Sequence, residues 1–187
     1  MGASSWVRGY IPTQKKFAVS TLVGGKNNPA MPGYALRHKL WWARDRIEMP
    51  IDFYLSGELK WDDVNYEGEK ALDGSMVPLS KAPLFDSQFH IAIENMSTPN
   101  MFTEKLIDCF QTKTIPIYYG APNIDDTFNR YGMIMANSLD RIIDVCNEIT
   151  PDTYERMLSC LMDNYEISHK YCDYDKQLKE AIIKLIN

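Results

Sequence analysis

No window of this 187-residue chain approaches the roughly 18 consecutive apolar residues that a membrane-spanning helix needs, and residues 1–10 lack the apolar stretch of a secretory signal. The chain as given is therefore expected to be soluble. Cysteine is sparse. Cys109, Cys146, Cys160 and Cys172 show no C-x-x-C spacing and fall mostly at apolar positions of helix-like segments, which predicts free buried thiols and a cytoplasmic or otherwise reducing compartment. Positive charge is also short, with 20 Lys and Arg against 25 Asp and Glu, and the basic residues are scattered. Neutralising a nucleic-acid backbone needs clustered cations, so no nucleic-acid partner is expected, and any phosphate ligand must be held by a few local residues. His38, His90 and His169 do not cluster in sequence, which leaves no basis for a metal site or a nucleophilic triad. The first strand is not followed by G-x-G-x-x-G, which argues against a nicotinamide-dependent enzyme.

What is present is an ordinary globular composition. With 45% apolar residues, a chain of this length buries roughly 70% of its unfolded surface, enough for one sizeable core. Residues 1–16 lack periodicity and read as a lead-in segment or linker remnant, with the domain proper over 17–187. Strands are predicted over 17–23, 51–55, 89–94, 114–119 and 132–136, the first emptying into Gly24-Gly25. Helices are predicted over 33–48, 103–113, from Ser138, from Pro151 and over 168–186. In the first helix Leu36, Leu40, Ala43 and Ile47 define the inward face, and Arg37 falls off it. Of the adjacent Trp41 and Trp42, one must face away from the core, because neighbours on a helix diverge by about 100°. The polar stretch 56–75 reads as a long loop. Pro116 lacks an N–H, so its strand must start late or have a bare flank there. Strands alternating with helices imply a doubly wound, mainly parallel Rossmann-like α/β sheet.

Ligands of such sheets bind beyond the carboxyl ends of the strands, which directs attention to residues 24–29, 94–105 and 120–123. Glu94-Asn95 sits where strand meets loop. Thr103-Glu104-Lys105 opens the next helix, where unpaired N–H groups and the positive dipole end favour an anion such as a diphosphate. Read alone, Glu104 and Lys105 could equally be solvated charges at a helix start, and Arg37 a surface arginine. Asp62-Asp63 and Asp125-Asp126 are expected to be loop and cap acids, with no obligatory metal or cofactor.

Together, Phe89-x-x-x-x-Glu94-Asn95, Thr103-Glu104-Lys105-Leu106-Ile107-Asp108 and Thr114-Ile115-Pro116-Ile117-Tyr118-Tyr119-Gly120 resemble, in order and spacing, the signature block of the α-1,3-fucosyltransferases. Ala121-Pro122-Asn123, Phe128-Asn129 and Met133-Ile134 continue the likeness, and Phe17 to Leu22 and Arg37 resemble upstream family elements. Where the family often has an aromatic residue two positions before Thr-Glu-Lys, this chain has Met101. The resemblance implies the C-terminal, donor-binding half of a GT-B glycosyltransferase that uses GDP-fucose or a related nucleotide sugar and inverts the anomeric centre. It implies that Arg37 and Lys105 stabilise the leaving diphosphate, that Glu104 accepts from the ribose hydroxyls, and that Glu94 and Asn95 border the sugar, with Thr103 and Gly120 completing the donor site. The glycan acceptor would be held by another domain or partner, which would also supply the unknown general base. The alternative is a non-catalytic nucleotide-sugar binding or assembly module that kept the fold without transfer activity.

Overall fold

The computed structural model describes Ser5, Val7 and residues 9–56, 70–72 and 81–186. Six strands, β1 (Lys16–Val23), β2 (Ile51–Ser56), β3 (Lys70–Leu72), β4 (Ser87–Ile93), β5 (Ile115–Tyr119) and β6 (Ile134–Met135), form one sheet in the order β3-β2-β1-β4-β5-β6. Every pairing is parallel. The central strands β1 and β4 are buried almost without alternation because helices cover both faces of the sheet.

Topology decides which helix covers which face. From β1 the chain crosses to β2 on one side through α1 (Pro32–Trp42), and from β4 it crosses to β5 on the other side through α2 (Glu104–Gln111). Right-handed crossovers in opposite directions place α1 and α2 on opposite faces. Two further helices complete the layers: α3 (Leu139–Glu148) packs with α1, and α4 (Pro151–Ser168) packs with α2. The caps are those that the residue types favour. Thr103 and Ser138 oxygens accept helix-start N–H groups, and Thr153 Oγ1 accepts the Thr150 N–H at 3.0 Å ahead of Pro151. α5 (Tyr174–Ile186) closes the chain after a short 3-10 turn, so the helix expected over 168–186 is broken near its start.

Several other expectations change. The first helix stops at Trp42 and a 3-10 turn, Arg44–Arg46, takes over its last residues. The stretch expected to be a loop opens on Ser56, the last residue of β2, and contains β3, which pairs with β2 from Tyr54↔Lys70 to Ser56↔Leu72; residues 57–69 and 73–75, including Asp62-Asp63, lie outside the described residues. Three residues are too short a run to show a strand period, and only pairing with β2 reveals them. Before β1, Val7 is wholly buried in the core, and Lys15 Nζ donates to Phe85 O at 2.5 Å and Thr114 Oγ1 at 2.7 Å, so this segment is tied to the body of the domain. Pro116 pairs with His90 on one flank, while on the other the pairing of β5 with β6 begins only at Ile117↔Ile134, so the missing N–H falls where the ladder to β6 has not started. Trp41 is 1% exposed and Trp42 56%, the division that helix geometry requires. Cys109, Cys146 and Cys172 are buried, Cys160 is half-buried, and none is in a disulfide.

Candidate functional site

The strand order reverses between β1 and β4, so the loops leaving these strands diverge and open a crevice between the N-terminal ends of α1 and α2. Gly33 sets how closely α1 approaches. Its N–H donates to Asn95 O at 2.9 Å, and a Cβ there would lie 1.8 Å from Glu94 O. The helix can start against the end of β4 only because this residue has no side chain.

One turn further along α1, the same face carries Arg37. It is 7% exposed, not on the outer surface where the apolar periodicity puts it, because the start of α1 packs on residues 93–95 rather than facing solvent. Its Nη2 donates to Ile93 O and, at 2.9 Å, to Asn95 Oδ1, while Nε and Nη1 have no acceptor among the described residues. Asn95 Nδ2 in turn donates to Tyr34 OH at 3.2 Å, and the Tyr34 ring lies 5.3 Å from the guanidinium carbon. Burial lowers the Arg37 pKa and the Glu94 and Glu104 carboxylates oppose it. An arginine stays cationic under such pressure.

On the other side of the crevice, Glu94 is 0% exposed. Its two oxygens accept, each at 2.8 Å, the Thr103 N–H and the Thr103 hydroxyl. The anion at the start of α2 is thus an internal carboxylate, and the Thr103 N–H is already engaged by it. Burial raises the Glu94 carboxyl above its ordinary range, while Lys105 and the Thr103 bonds counter it. Lys105 Nζ lies 3.0 Å from Thr103 Oγ1, 3.1 Å from Glu104 Oε1 and 3.6 Å from Glu94 Oε2. Glu104 also has Lys81 at 3.9 Å. Burial would raise its carboxyl, but Lys105 and Lys81 outweigh that and hold it below the usual value, so Glu104 is an acceptor at neutral pH.

Gly120, at the end of β5, leaves room for this arrangement. A Cβ there would lie 2.1 Å from Tyr118 Oη and 2.8 Å from Glu94 Cγ, and its carbonyl accepts from Ser97 Oγ at 2.7 Å. Asn100, in a left-handed conformation with φ 62°, exchanges bonds with Asn123 at 2.8 Å and joins the loops after β4 and β5.

The structure therefore gathers Arg37, Glu94, Asn95, Thr103, Glu104, Lys105 and Gly120 at one end of the sheet. It adds Gly33, Tyr34, Lys81 and Ser97, which sequence reasoning passed over. Gly33 left a signal, since a glycine in the first turn of a helix marks a close approach. Lys81 left none, because its link to Glu104 spans two elements distant in sequence. Among the described residues no three His, Cys, Asp or Glu side chains gather as a metal site would require, and Asp125 and Asp126 are exposed in a 3-10 turn.

No protein-family model matches the chain, and no curated protein matches it. Solved structures do. The chain is similar to a crystal structure of α1,3-fucosyltransferase with GDP-fucose, at 25% identity and TM-score 0.52, covering 77% of this chain and 38% of that one. It is similar to a crystal structure of α1,3-fucosyltransferase at 23% identity and TM-score 0.56, covering 92% and 46%, and to one with GDP at 22% and 0.55, covering 92% and 48%. The chain spans less than half the length of these structures, and over that span it has a fucosyltransferase-like, Rossmann-like fold.

Proposed function

We propose that this chain is the donor-binding half of an inverting glycosyltransferase of the fucosyltransferase kind, and that it binds a GDP-sugar, GDP-fucose by preference. The observation that carries this reading is the pair of cations, Arg37 from α1 and Lys105 from α2, set on the two sides of the β1/β4 crevice around the buried Glu94. The likeness to structures that hold GDP-fucose and GDP supports the choice of ligand.

In an inverting transfer the acceptor hydroxyl attacks the anomeric carbon, the bond to the diphosphate breaks, and negative charge grows on the leaving oxygens. Cations fixed beside those oxygens stabilise the transition state more than the ground state. Arg37 and Lys105 take this role, and Glu104, held ionised, accepts from the ribose hydroxyls. Glu94 is not the base that takes the acceptor proton, because it is fully buried and both of its oxygens are engaged. That proton goes to a group on the acceptor side, and the glycan acceptor is held by a second domain or partner.

Calorimetric titration with GDP tests the reading. Binding is expected, and Lys105→Ala should weaken it by about 10- to 100-fold, the range for losing a charge-assisted hydrogen bond to phosphate. Absence of heat and of any thermal shift with GDP at saturating concentration would refute it. GDP binding without turnover of GDP-fucose in the presence of acceptors would mark a nucleotide-sugar binding module instead.

A further inference from the structure

We infer that Glu94 is a positioning residue that aims the Lys105 ammonium at the donor diphosphate, acting through the one hydroxyl proton of Thr103. This rests on the nucleotide-diphosphate reading of the crevice. A threonine hydroxyl has one proton and two lone pairs, and an ammonium can only donate. With Glu94 Oε2 accepting at 2.8 Å, the Thr103 proton is committed downward into the fold. The lone pairs of Thr103 Oγ1 are left to the Lys105 ammonium at 3.0 Å and the Lys105 backbone N–H at 3.4 Å. Ammonium, hydroxyl and carboxylate thus form a directed chain. Together with the Glu104 carboxylate 3.1 Å from the ammonium and the direct approach of Glu94 Oε2 at 3.6 Å, it fixes the position of a long, flexible side chain.

The chain requires a carboxylate at position 94. Two donors, the Thr103 N–H and O–H, converge on its two oxygens, whereas a glutamine has one oxygen and would turn its NH2 toward one of those donors. Space for the side chain is reserved by Gly120, whose missing Cβ would otherwise meet Glu94 Cγ. The ionisable groups that act on Glu94 are Arg37 from α1, Lys105, Glu104 and Cys109 from α2, and Tyr118 from β5. Of these only Lys105 is tied to it through a shared hydroxyl.

Competitive labelling of the lysine amines of the full chain, read by peptide mass spectrometry without nucleotide, tests the chain of bonds directly. The labelling of Lys105 is expressed relative to the half-buried Lys113, whose ammonium packs on the Tyr165 ring, so that general loosening of the fold, which exposes both, cancels. Glu94→Gln and Thr103→Val should each raise the ratio roughly threefold or more, and Thr103→Ser, which keeps the hydroxyl, should leave it at the wild-type value. An unchanged ratio in the two disrupting variants overturns the inference, and Thr103→Val serves if Glu94→Gln does not fold. GDP titration of the same proteins then separates the two levels. Weaker binding in Glu94→Gln and Thr103→Val, restored in Thr103→Ser, is the expected result, and equal affinity in all of them overturns the positioning role. A wild type that ignores GDP while the labelling ratio responds refutes the diphosphate reading and leaves the hydrogen-bonded chain standing.

Discussion

Replacing Gly33 with alanine is expected to destabilise the fold by about 3 kcal/mol or more and to abolish the nucleotide binding proposed above. The added Cβ would stand 1.8 Å from Glu94 O and 2.9 Å from Asn95 Cα, and both obstacles are backbone. No rotamer change relieves them. α1 must move away from β4 by more than 1 Å in order of magnitude, which breaks the Gly33 N–H bond to Asn95 O and carries Arg37 off Ile93 and Asn95. For a chain of this size each kcal/mol lowers the melting temperature by about 2–4 °C, so a fall of roughly 6–12 °C is expected in calorimetry. Ala35→Gly, at an exposed position of the same helix, should cost only about 1 kcal/mol. Equal effects of the two substitutions would show that the approach of α1 to β4 is not set by Gly33.

The second large effect is loss of stability in mild acid, traced to His90. Its ring is buried in β4, and Nδ1 lies 2.8 Å from Ser20 Oγ. Ser20 gives its one proton to Leu84 O at 2.5 Å, so His90 must be the donor in this pair and its neutral Nδ1–H form is the one that fits. Burial, aided by Lys81 and Lys15, pushes the His90 pKa down to about 3 from the ordinary 6.5. Between those values the unfolded chain binds a proton that the folded protein does not, so the unfolded state gains as pH falls. The stabilisation is complete above 6.5 and is lost progressively toward 3. The slope is about 1.4 kcal/mol per pH unit, several kcal/mol in all.

Glu94 acts in the opposite sense. Its raised carboxyl makes the folded state the better proton binder just above the ordinary carboxylate range, so acidification there relieves a cost. Comparing wild type with His90→Asn, which keeps a donor for Ser20 without titrating, removes this contribution because both proteins retain Glu94. Urea unfolding between about pH 7 and 4 should show wild-type stability falling more steeply by about 1.4 kcal/mol per unit. Parallel slopes would exclude His90 as the source.

Most of the element pattern was legible because it is written locally. The β-branched and apolar runs of β1 and β4, the Thr103 and Ser138 caps, and Pro151 at the start of α4 depend on neighbours within a few residues. The boundaries moved where tertiary packing intervened, as at Trp42, and β3 was hidden because it exists only as a partner of β2. In the site, the spacing of Glu94-Asn95 to Thr103-Glu104-Lys105 placed the acidic and basic groups at one strand end. It did not say which of them faced inward.

By itself the sequence determined the alternation of strands and helices, the parallel α/β class and the strand end at which charged residues collect, since each follows from period, capping and the order of elements along the chain. The tertiary structure alone decided the roles within that end. Arg37 is buried because the start of α1 rests on residues more than 50 positions away, and the start of α2 is closed by Glu94 because β4 ends beneath it. Both are contacts between segments that no local pattern relates, and burial with its electrostatic consequences is a property of such contacts.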